Sequence, residues 1–484
     1  MYLGLDFGTS SVKGVLIDAK QKIVATASAP LKVSRPQPGW SEQNPEDWWK
    51  ACNIVVKTLG KMKPKAIAAV EGIGLSGQQH GATLLGKDGK VLRPCILWND
   101  ARSFRECDDI ETAEPRAREI SGNIPLAGFT APKLLWVKKH EPKVFAQVAK
   151  VLLPKDYIRL RMTGEYASDM SDSSGTYWLD CAKRDWSDKL LAAGSMSIDQ
   201  MPKLYEGTVA TGRLTAHVAK AWGMPKRPVV AGGGGDNAAA ACGIGAVTDN
   251  SALVSIGTSG VMFVSNDTFR PNAGRALHAF CHAVPGTWHQ MGVILSAAAS
   301  LEWLATILSK PAPKLTAALG TKLTGPSAAL MLPYLSGERT PHNNPHAKGV
   351  LFGLTPATTP EQVTQAVLEG VALSLADAQG YLAATGPLPG RIAVNGGGSK
   401  SRFWMKILAS TLNKTVLLQE GSEAGPAFGA ARLARLATTG EDVSSVCTKP
   451  GVAAEIAPDP ALAAAYAERL TRFRALYRAV APLF

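Results

Sequence analysis

The sequence predicts an α/β protein built from two related halves. Its 484 residues exceed what one ordinary hydrophobic core can organise, so two large domains are expected. Apolar, β-branched runs typical of strands are interspersed with helical patterns along the chain. A short Gly-Thr-Ser turn between two apolar runs occurs twice, at residues 8–10 and again 249 positions later at 257–259. A repeat separated by about half the chain indicates two related α/β units.

The elements of each half can be placed in order. The strand-like runs of the first half lie at 1–6, 12–18, 67–75, 94–98 and 227–231. One helix start is well marked there, because Asn44 can cap a helix, Pro45 suits its first position and Glu46 favours its positive end. The second half repeats the plan, with strands at 252–256, 260–265 and 391–395 and helices near 292–308, 360–384, 401–412 and 424–438. The glycine-bearing stretch at 242–246 predicts a hinge between the halves.

Composition narrows the class of protein. The formal net charge is +13, but the basic residues are scattered rather than clustered, which favours an anionic small molecule over nucleic acid as the ligand. Seven widely spaced cysteines without a CxxC pair argue against a disulfide framework or a zinc site and fit a reducing compartment. No apolar run has the character of a membrane span, and the first strand leaves no room for a signal peptide. We therefore expect a cytoplasmic protein that binds no membrane.

Two glycine clusters follow predicted strands and lead into predicted helices. They read "VVAGGGGDNAAAACG" at 229–243 and "IAVNGGGSKSRFW" at 392–404. Glycine lets a ligand approach the backbone closely, and the N–H groups at a helix start can bind phosphate. Each cluster alone could be a plain tight turn, and neither matches the Walker or dinucleotide pattern. One such loop and one Gly-Thr-Ser hairpin in each half together favour a phosphate-binding site.

Two aspartates stand where chemistry is expected. Asp6 ends an apolar strand beside the first Gly-Thr-Ser turn, and Asp236 directly follows four glycines. Asp6 could simply cap its own turn, and Asp236 could simply cap the helix that follows it. In the functional alternative, Asp6 helps to hold a Mg²⁺–nucleotide, usually through water. Asp236 then acts as a general base.

Polar residues suited to sugar hydroxyls lie near two further strands. Gln79 and His80 follow a strand in "GLSGQQHGATLL", and Trp98 lies in "LWNDARS" among polar neighbours. His80 could be an ordinary hydrogen-bonded loop residue, and Trp98 could be a core residue. His342 and His346 do not make a metal site, because Asn-Asn-Pro between them breaks a helix and no third ligand is evident. No G-x-S-x-G nucleophile motif is present.

Together these motifs resemble the FGGY carbohydrate kinases. The resemblance extends over essentially the whole chain, and the stretches that carry it are "GLDFGTSSVK", "PGWSEQNPEDWW", "GQQHGATLL", "ILWNDAR", "GFTAPKLLWVKKHEP", "LLPKDYIRLRMTGEYASDMSDSSGT", "AGGGGDNAAAA", "SIGTSG", "LPYLSGERTPHNNP" and "NGGGSKSRFW". It implies two duplicated actin-like (ribonuclease H-like) lobes with a catalytic cleft between them. We expect residues 1–243 to form the lobe that holds the sugar and the base, and residues 244–484 to form the lobe that mainly binds ATP. The resemblance is also compatible with a homodimer.

The resemblance also assigns roles to individual residues. Asp236 is similar to the family's proton acceptor, and Asp6 is similar to the carboxylate near Mg²⁺ and the transferred phosphoryl group. The sugar contacts it implies are Gln79, His80, Asn237 and Asp236 itself. Trp98, an aromatic residue among polar neighbours, is the fifth expected sugar contact, as a wall of the pocket. The ATP contacts are Gly8, Thr9, Ser10, Gly257, Thr258, Gly397 and Ser401. The sequence departs from close bacterial members in two ways: Gln79 stands where they carry methionine, and the glycine run before Asp236 is one residue longer.

The resemblance implies in-line phosphoryl transfer from MgATP to the terminal hydroxyl of a ketopentose, and it favours D-xylulose, with D-xylulose 5-phosphate as product. A kinase acting on ribulose, gluconate or glycerol is the alternative within the family. An actin-like ATPase switch is the alternative from another class, because it could share the duplicated hairpins. A sugar-binding regulator without catalysis is disfavoured, because Asp6 and Asp236 are both present.

Overall fold

The first lobe is built around a seven-stranded mixed sheet. The computed structural model of the protein describes residues 1–421 and 425–484. The strands of the first half are β1 (Tyr2–Phe7), β2 (Ser11–Ile17), β3 (Ile23–Pro30), β4 (Glu42–Gln43), β5 (Gly72–Gly77), β6 (Thr83–Leu85), β7 (Cys95–Ile96), β8 (Lys150–Leu152), β9 (Ala167–Asp169), β10 (Leu179–Asp180), β11 (Asp185–Trp186), β12 (Lys203–Tyr205), β13 (Ala210–Arg213), β14 (Val229–Ala231) and β15 (Gly234–Gly235). The sheet runs in the order β13-β14-β5-β1-β2-β3, with β15 also paired to β5. Its core includes the buried face of the first long helix, which begins at Pro45 with Asn44 as its cap, as predicted.

The helices of the first half surround this sheet and the smaller two-stranded sheets beside it. They are α1 (Pro45–Met62), α2 (Pro64–Ala68), α3 (Glu106–Ala113), α4 (Ala117–Ser121), α5 (Thr130–His140), α6 (Pro142–Phe145), α7 (Pro154–Thr163), α8 (Met170–Ser173), α9 (Asp188–Ala193), α10 (Ala216–Trp222) and α11 (Asp236–Ile244). α11 ends at Gly245, whose φ of 72° is the left-handed conformation that glycine adopts readily. This residue lies in the stretch predicted as a hinge.

The second lobe repeats the plan of the first. Its strands are β16 (Ala252–Ile256), β17 (Gly260–Asn266), β18 (His278–Cys281), β19 (Trp288–Ile294), β20 (Leu330–Leu332), β21 (Val350–Phe352), β22 (Arg391–Asn395), β23 (Thr415–Gln419) and β24 (Val452–Ile456). The helices of the second half of the sequence are α12 (Ala298–Ile307), α13 (Ala312–Ala318), α14 (Pro360–Ala383), α15 (Arg402–Leu412), α16 (Gly425–Thr439), α17 (Val443–Val446) and α18 (Pro460–Val480). The main sheet runs in the order β18-β19-β17-β16-β22-β23-β24.

The two main sheets share one topology. In the first, β1 pairs antiparallel with β2 through the Gly-Thr-Ser turn and parallel with β5. In the second, β16 pairs antiparallel with β17 through the second such turn and parallel with β22. Each lobe therefore places its hairpin at the carboxyl end of a parallel strand pair, and the predicted fold of two duplicated actin-like lobes is confirmed.

Three predicted elements differ in their bounds or their type. The run 67–75 contains the end of α2 and only the start of β5, because Pro64 begins a helix there. The run 94–98 pairs only at Cys95–Ile96. The apolar run 292–308 begins as the end of β19 and becomes helical at Ala298, since a buried strand and a buried helix joined by a short turn share one hydrophobicity pattern. The predicted helix 424–438 is seen from 425 onwards, and residue 424 lies outside the described residues.

All seven cysteines are buried, and none forms a disulfide. Within the described ranges, no helix has both the length and the apolar character needed to cross a membrane.

Helix α16 belongs to the second half of the sequence but packs on the first lobe. It lies against β1, β5 and α11, and glycines make this approach close enough for backbone to touch backbone. A Cβ added to Gly429 would lie 1.7 Å from the carbonyl oxygen of Ala239 in α11. The helix that begins with Asp236 is therefore held by a helix from the other half of the chain.

We expect Gly429→Ala to destabilise the protein by about 1–3 kcal/mol, because the methyl group must push α11 and α16 apart. Gly60→Ala is the matched control: Gly60 lies in α1, and an added Cβ there meets no atom within 4 Å. Alanine at that position should stabilise the helix by roughly 0.5–1 kcal/mol. Thermal unfolding of both variants checks the opposite signs. Equal midpoints would show that the helix crossing tolerates a methyl group.

Candidate active site

The two candidate carboxylates lie at the carboxyl ends of strands that flank β5. Asp6 is opposite Ser76 in the β1–β5 register, and Ser76 donates a hydrogen bond of 3.0 Å to its carboxylate. Asp236 directly follows β15, which pairs with β5 at Ser76 and Gly77. Parallel strands end at the same edge of a sheet, so the topology brings the two carboxylates to one place.

Neither carboxylate serves only its own turn. The turn after Asp6 is closed by the Gly8 amide, which donates to the Ser11 carbonyl oxygen. Asp236 is the first residue of α11 rather than its cap, and Gly235 occupies the cap position. The Asp236 carboxylate accepts hydrogen bonds from the backbone and side-chain nitrogens of Asn237, at 2.7 and 2.8 Å. Both aspartates are half-buried, which leaves part of each carboxylate open to a ligand.

Burial is the main influence on the protonation of both groups. It raises the pKa of Asp6 to about 6, although the Ser76 hydrogen bond and the charge of Lys13 act in the opposite direction. Burial and then the negative charge of Asp6 raise the pKa of Asp236 to about 7. A carboxyl group that titrates near neutral pH is suited to accept a proton during catalysis.

Asp236 faces a cavity of about 100 Å³ between the lobes. We call this the interlobe cavity. It is lined by Gln79, His80, Trp98, Asp236 and Asn237 from the first lobe and by Ser259, Val261, His278, Met291, Val293 and Arg339 from the second. All five of the sugar-contacting residues expected from the sequence therefore lie on one cavity. The six residues of the second lobe were not predicted as sugar contacts.

His80 is held as a neutral hydrogen-bond acceptor. Burial lowers its pKa to about 3, and its Nδ1 lies 2.6 Å from the carbonyl oxygen of Gly175. Because a carbonyl oxygen only accepts, Nδ1 carries the proton and Nε2 is left as an acceptor. The backbone of His80 is fixed by the fully buried Lys133, whose ammonium group donates to the His80 carbonyl oxygen at 2.8 Å. Burial lowers the pKa of Lys133 to about 7.

Ser171 connects Gln79 to the strand before Asp236. The Gln79 side-chain amide donates to the Ser171 carbonyl oxygen at 3.1 Å, and the Gly235 amide donates to the Ser171 hydroxyl oxygen at 3.0 Å. Neither Lys133 nor Ser171 was predicted as part of the site. Lys133 lies in "GFTAPKLLWVKKHEP" and Ser171 lies in "DMSDSSGT". Both stretches carry the family resemblance, and this was the sequence signal that could have found the two residues.

Several polar neighbours of these residues form hydrogen bonds or ion pairs within the protein rather than lining the interlobe cavity. The Gln78 side chain accepts a hydrogen bond from Thr9 and donates one to Gln43, and it does not line the interlobe cavity. Asp100 and Arg102 pair with each other at 2.7 Å and are both about 1% exposed. Trp98 donates from its indole nitrogen to the Thr9 hydroxyl at 2.9 Å, so one wall of the cavity is joined to the first hairpin.

The predicted phosphate contacts lie at the two hairpins and one loop. The Gly257 amide closes its turn on the Ser259 carbonyl oxygen, as Gly8 does in the first lobe. In the described ranges, the next amides, those of Thr9 and Thr258, have no hydrogen-bond partner and so remain available to a phosphate. Ser10 and Thr258 are exposed at the tips of the turns.

The second glycine cluster follows β22 at the carboxyl end of the second sheet. Gly397 is exposed, with open space where a side chain would stand, and Ser401 caps α15 by accepting a hydrogen bond from the Trp404 amide. Neither residue lines the interlobe cavity. The candidate residues therefore form two distinct regions. One is a polar cavity beside the first sheet, and the other is an open glycine loop at the end of the second sheet.

Comparison with known proteins identifies the family of the chain. The models for the N-terminal and C-terminal domains of the FGGY family of carbohydrate kinases match residues 1–243 and 252–438. A xylulose kinase of Escherichia coli K12 is 50% identical over 486 aligned positions, with 100% of both chains covered. One from Klebsiella pneumoniae is 49% identical with the same coverage.

Solved structures give the same result. The chain is similar to a crystal structure of a Brucella ovis enzyme described as a xyloylose kinase, with 51% identity, a TM-score of 0.97 and 100% of both chains covered. It is also similar to the xylulose kinase of Rhodospirillum rubrum, with 30% identity, a TM-score of 0.91 and coverage of 100% and 99%. The chain therefore belongs to the FGGY family of carbohydrate kinases.

Proposed function

We propose that this kinase transfers the γ-phosphoryl group of MgATP to the terminal hydroxyl of D-xylulose and forms D-xylulose 5-phosphate. The observation that carries the proposal is the pair Asp6 and Asp236, which lie at one sheet edge beside a cavity that also presents Gln79 and His80. The choice of sugar follows the xylulose kinases to which the chain is similar over its full length.

In this mechanism Asp236 accepts the proton of the attacking hydroxyl. Because its pKa is about 7, a substantial fraction of the Asp236 carboxyl groups is ionised at neutral pH and can accept a proton. The protonated carboxyl group that forms is also stable at this pH. Asn237 holds the carboxylate in place through two hydrogen bonds. Gln79, the neutral His80 and Trp98 orient the remaining hydroxyls. Phosphoryl transfer depends mainly on such positioning and on neutralisation of charge.

The nucleotide would lie between the two hairpins. The unpaired amides of Thr9 and Thr258 favour phosphate binding at both turns. Gly8, Ser10 and Gly257 form the rest of these turns. Gly397 and Ser401, in the second glycine loop, would contact the rest of the nucleotide. On this basis we assign ATP mainly to residues 244–484 and the sugar and base to residues 1–243. A homodimer stays a prediction.

The residues present fit a magnesium ion held jointly with the nucleotide. Among the described residues, no cluster of three or more His, Cys, Asp or Glu side chains could hold a metal ion alone. Mg²⁺ typically takes one or two carboxylates and completes its shell with phosphates and water, so Asp6 is a sufficient protein ligand, directly or through water. Asp6 would help to hold this ion, which would neutralise negative charge on the phosphates during transfer.

The test is ADP release by the purified protein with MgATP and, in turn, no sugar, D-xylulose, D-ribulose, L-ribulose, gluconate or glycerol. We expect fast release with D-xylulose and little release without sugar, because a closed interlobe cavity excludes water. Omission of Mg²⁺ is the control for the metal. Selective stimulation by another sugar would reassign the substrate. ATP binding without stimulation by any sugar would refute the proposal in favour of an ATPase switch, whose turnover depends on a protein partner.

A further inference from the structure

Arg339 of the second lobe reaches into the interlobe cavity. It lies in the stretch "LPYLSGERTPHNNP", and its side chain lines the cavity together with Asp236 and His80 of the first lobe. It also lines a larger neighbouring cavity of about 560 Å³, which shares Trp98 with the first. Arg339 thus stands where a ligand entering between the lobes would meet the second lobe.

The guanidinium group of Arg339 is incompletely satisfied by the protein. Its Nη1 lies 3.1 Å from Nε2 of His278, and burial keeps the pKa of His278 well below its ordinary value, so this imidazole is neutral and can accept. No other hydrogen bond and no ion pair with a carboxylate involves this side chain in the described part of the protein. A guanidinium group has five N–H donors, so most of them remain for a ligand or water. The Glu338 carboxylate attracts this cation without forming an ion pair with it, so its burial is costly unless a ligand offers acceptors.

Arg339 is held in place by the strands that carry the second hairpin. Its backbone amide donates to the Glu338 carboxylate at 2.7 Å, and the same oxygen accepts from the amide of Leu295 at 3.0 Å. Leu295 directly follows β19, whose last residue, Ile294, is opposite Gly260 at the start of β17. The backbone of Arg339 is therefore fixed relative to residues 257–259, and the hydrogen bond to His278 orients its guanidinium group. A rigidly held donor of this kind can discriminate between ligands.

Arg339 lies at the His80 end of the cavity rather than at the Asp236 end. Its partner His278 lies beside His80, with the centroids of the two imidazole rings 6.5 Å apart. The Asp236 carboxylate, in contrast, accepts its hydrogen bonds from Asn237, and none links it to Arg339 among the described residues. A substrate whose terminal hydroxyl lies at Asp236 would present its opposite end to Arg339.

We propose that Arg339 is a specificity-determining residue that donates hydrogen bonds to the carbonyl end of a ketose whose terminal hydroxyl lies at Asp236. This inference rests on the proposed function. A guanidinium group can only donate and a ketone oxygen can only accept, so the two match. In the corresponding polyol, the hydroxyl that replaces the ketone also needs an acceptor, which a guanidinium group cannot provide. Leaving a polar group unpaired in a closed site weakens binding.

The test compares D-xylulose with xylitol and D-arabitol, the two polyols formed when its ketone is reduced. The kcat/KM for D-xylulose and the competitive inhibition constants of both polyols are measured for wild type, Arg339→Gln and Arg339→Lys. For Arg339→Gln we expect kcat/KM for D-xylulose to fall by roughly 10- to 100-fold, the range for one hydrogen bond to a charged group. The inhibition constants of the polyols should change by less than about 3-fold, so that discrimination is lost. Arg339→Lys keeps the charge without the planar fork and should recover part of the discrimination.

Arg391→Gln is the matched control, because Arg391 is an exposed arginine of the same lobe that pairs with Glu455 on the surface. It should leave the ketose-to-polyol ratio unchanged. If Arg339→Gln weakens the use of D-xylulose and the binding of the polyols by the same factor, or changes neither, Arg339 does not determine specificity. The kinase proposal stands in that case. If the wild type phosphorylates no ketose, the proposed function fails and this inference fails with it.

Discussion

We expect Asp236→Asn to lower kcat for sugar phosphorylation by roughly 10²- to 10⁴-fold, the usual contribution of a positioned general base. Asparagine has nearly the same shape, and its side-chain oxygen can still accept the hydrogen bonds that Asn237 donates to Asp236. The loss would therefore reflect proton transfer rather than collapse of the loop. ATP affinity should change little, because the hairpins at residues 8–10 and 257–259 are untouched. Steady-state kinetics and ATP titration measure the two quantities.

The pH profile gives an independent readout of the same substitution. The base works only when ionised, so wild-type kcat/KM should rise with increasing pH through about 7, the pKa to which burial and Asp6 raise Asp236. The residual activity of Asp236→Asn should lack this rise. Asp185→Asn, at an exposed carboxylate in β11, is the control and should keep both rate and profile. An Asp236→Asn enzyme with wild-type rate and profile would rule out Asp236 as the base.

The second large effect is expected at Lys155, in the interior of the first lobe. Its ammonium nitrogen lies 2.6 Å from carboxylate oxygens of Asp156 and Asp169 and 3.1 Å from one of Asp172, and all four side chains are 0% exposed. Burial disfavours the charged ammonium, but the three carboxylates outweigh it and keep the pKa of Lys155 above its usual value. Burial also raises the pKa of Asp172. The guanidinium group of Arg159 adds a second buried cation, 3.5 Å from a carboxylate oxygen of Asp156.

Lys155→Met removes the cation and leaves the carboxylates buried without it. We expect destabilisation by about 3–5 kcal/mol, the usual cost of removing one partner of a buried ion pair. For a lobe of this size, that corresponds to a fall in the thermal midpoint of roughly 6–20 °C. Lys90→Met is the control, because the Lys90 side chain is 83% exposed beside Asp88 and contributes little. A Lys155→Met midpoint equal to that of the control would show that the carboxylates are neutralised in another way.

This buried cluster also supports the site. Asp169 accepts hydrogen bonds from the backbone and side chain of Ser171, and Ser171 in turn contacts Gln79 and the strand before Asp236. Arg159 donates to the carbonyl oxygens of Ala231 and Gly232, in the same glycine-rich stretch. The loop before the base is therefore held from behind by fully buried charges.

The sequence was sufficient for features that depend on local chemistry. The repeated Gly-Thr-Ser turn predicted the duplication, because a tight turn between two strands has a recognisable local pattern. Asp6, Gln79, His80 and Asp236 each lie at or just after the end of a strand, so their polar side chains next to apolar runs were enough to single them out as candidates.

Contacts that depend on the meeting of two distant segments were not predictable in this way. Arg339 and His278 reach the cavity from the second lobe, and no local pattern links them to residues of the first. The burial of Lys155 was also not predictable from the sequence, since a lysine in an amphipathic helix ordinarily faces solvent. The strand-to-helix change within 292–308 was missed because both elements are buried and apolar.

The contact of Ala239 with Gly429 has a mechanical consequence. Helices that meet through large side chains must disengage them before one can tilt over the other, but here the backbones touch with only small residues between them. Asp236 is three residues from this point, a lever arm of about 5 Å along the helix. A rotation of about 10° around the contact would displace the carboxylate by only ~1 Å, whereas atoms at the outer rim, several times farther from the axis, would travel proportionally farther. For a rotation about this contact the base would lie near the axis, so the mouth of the cleft would swing widely while the reacting end stayed almost still.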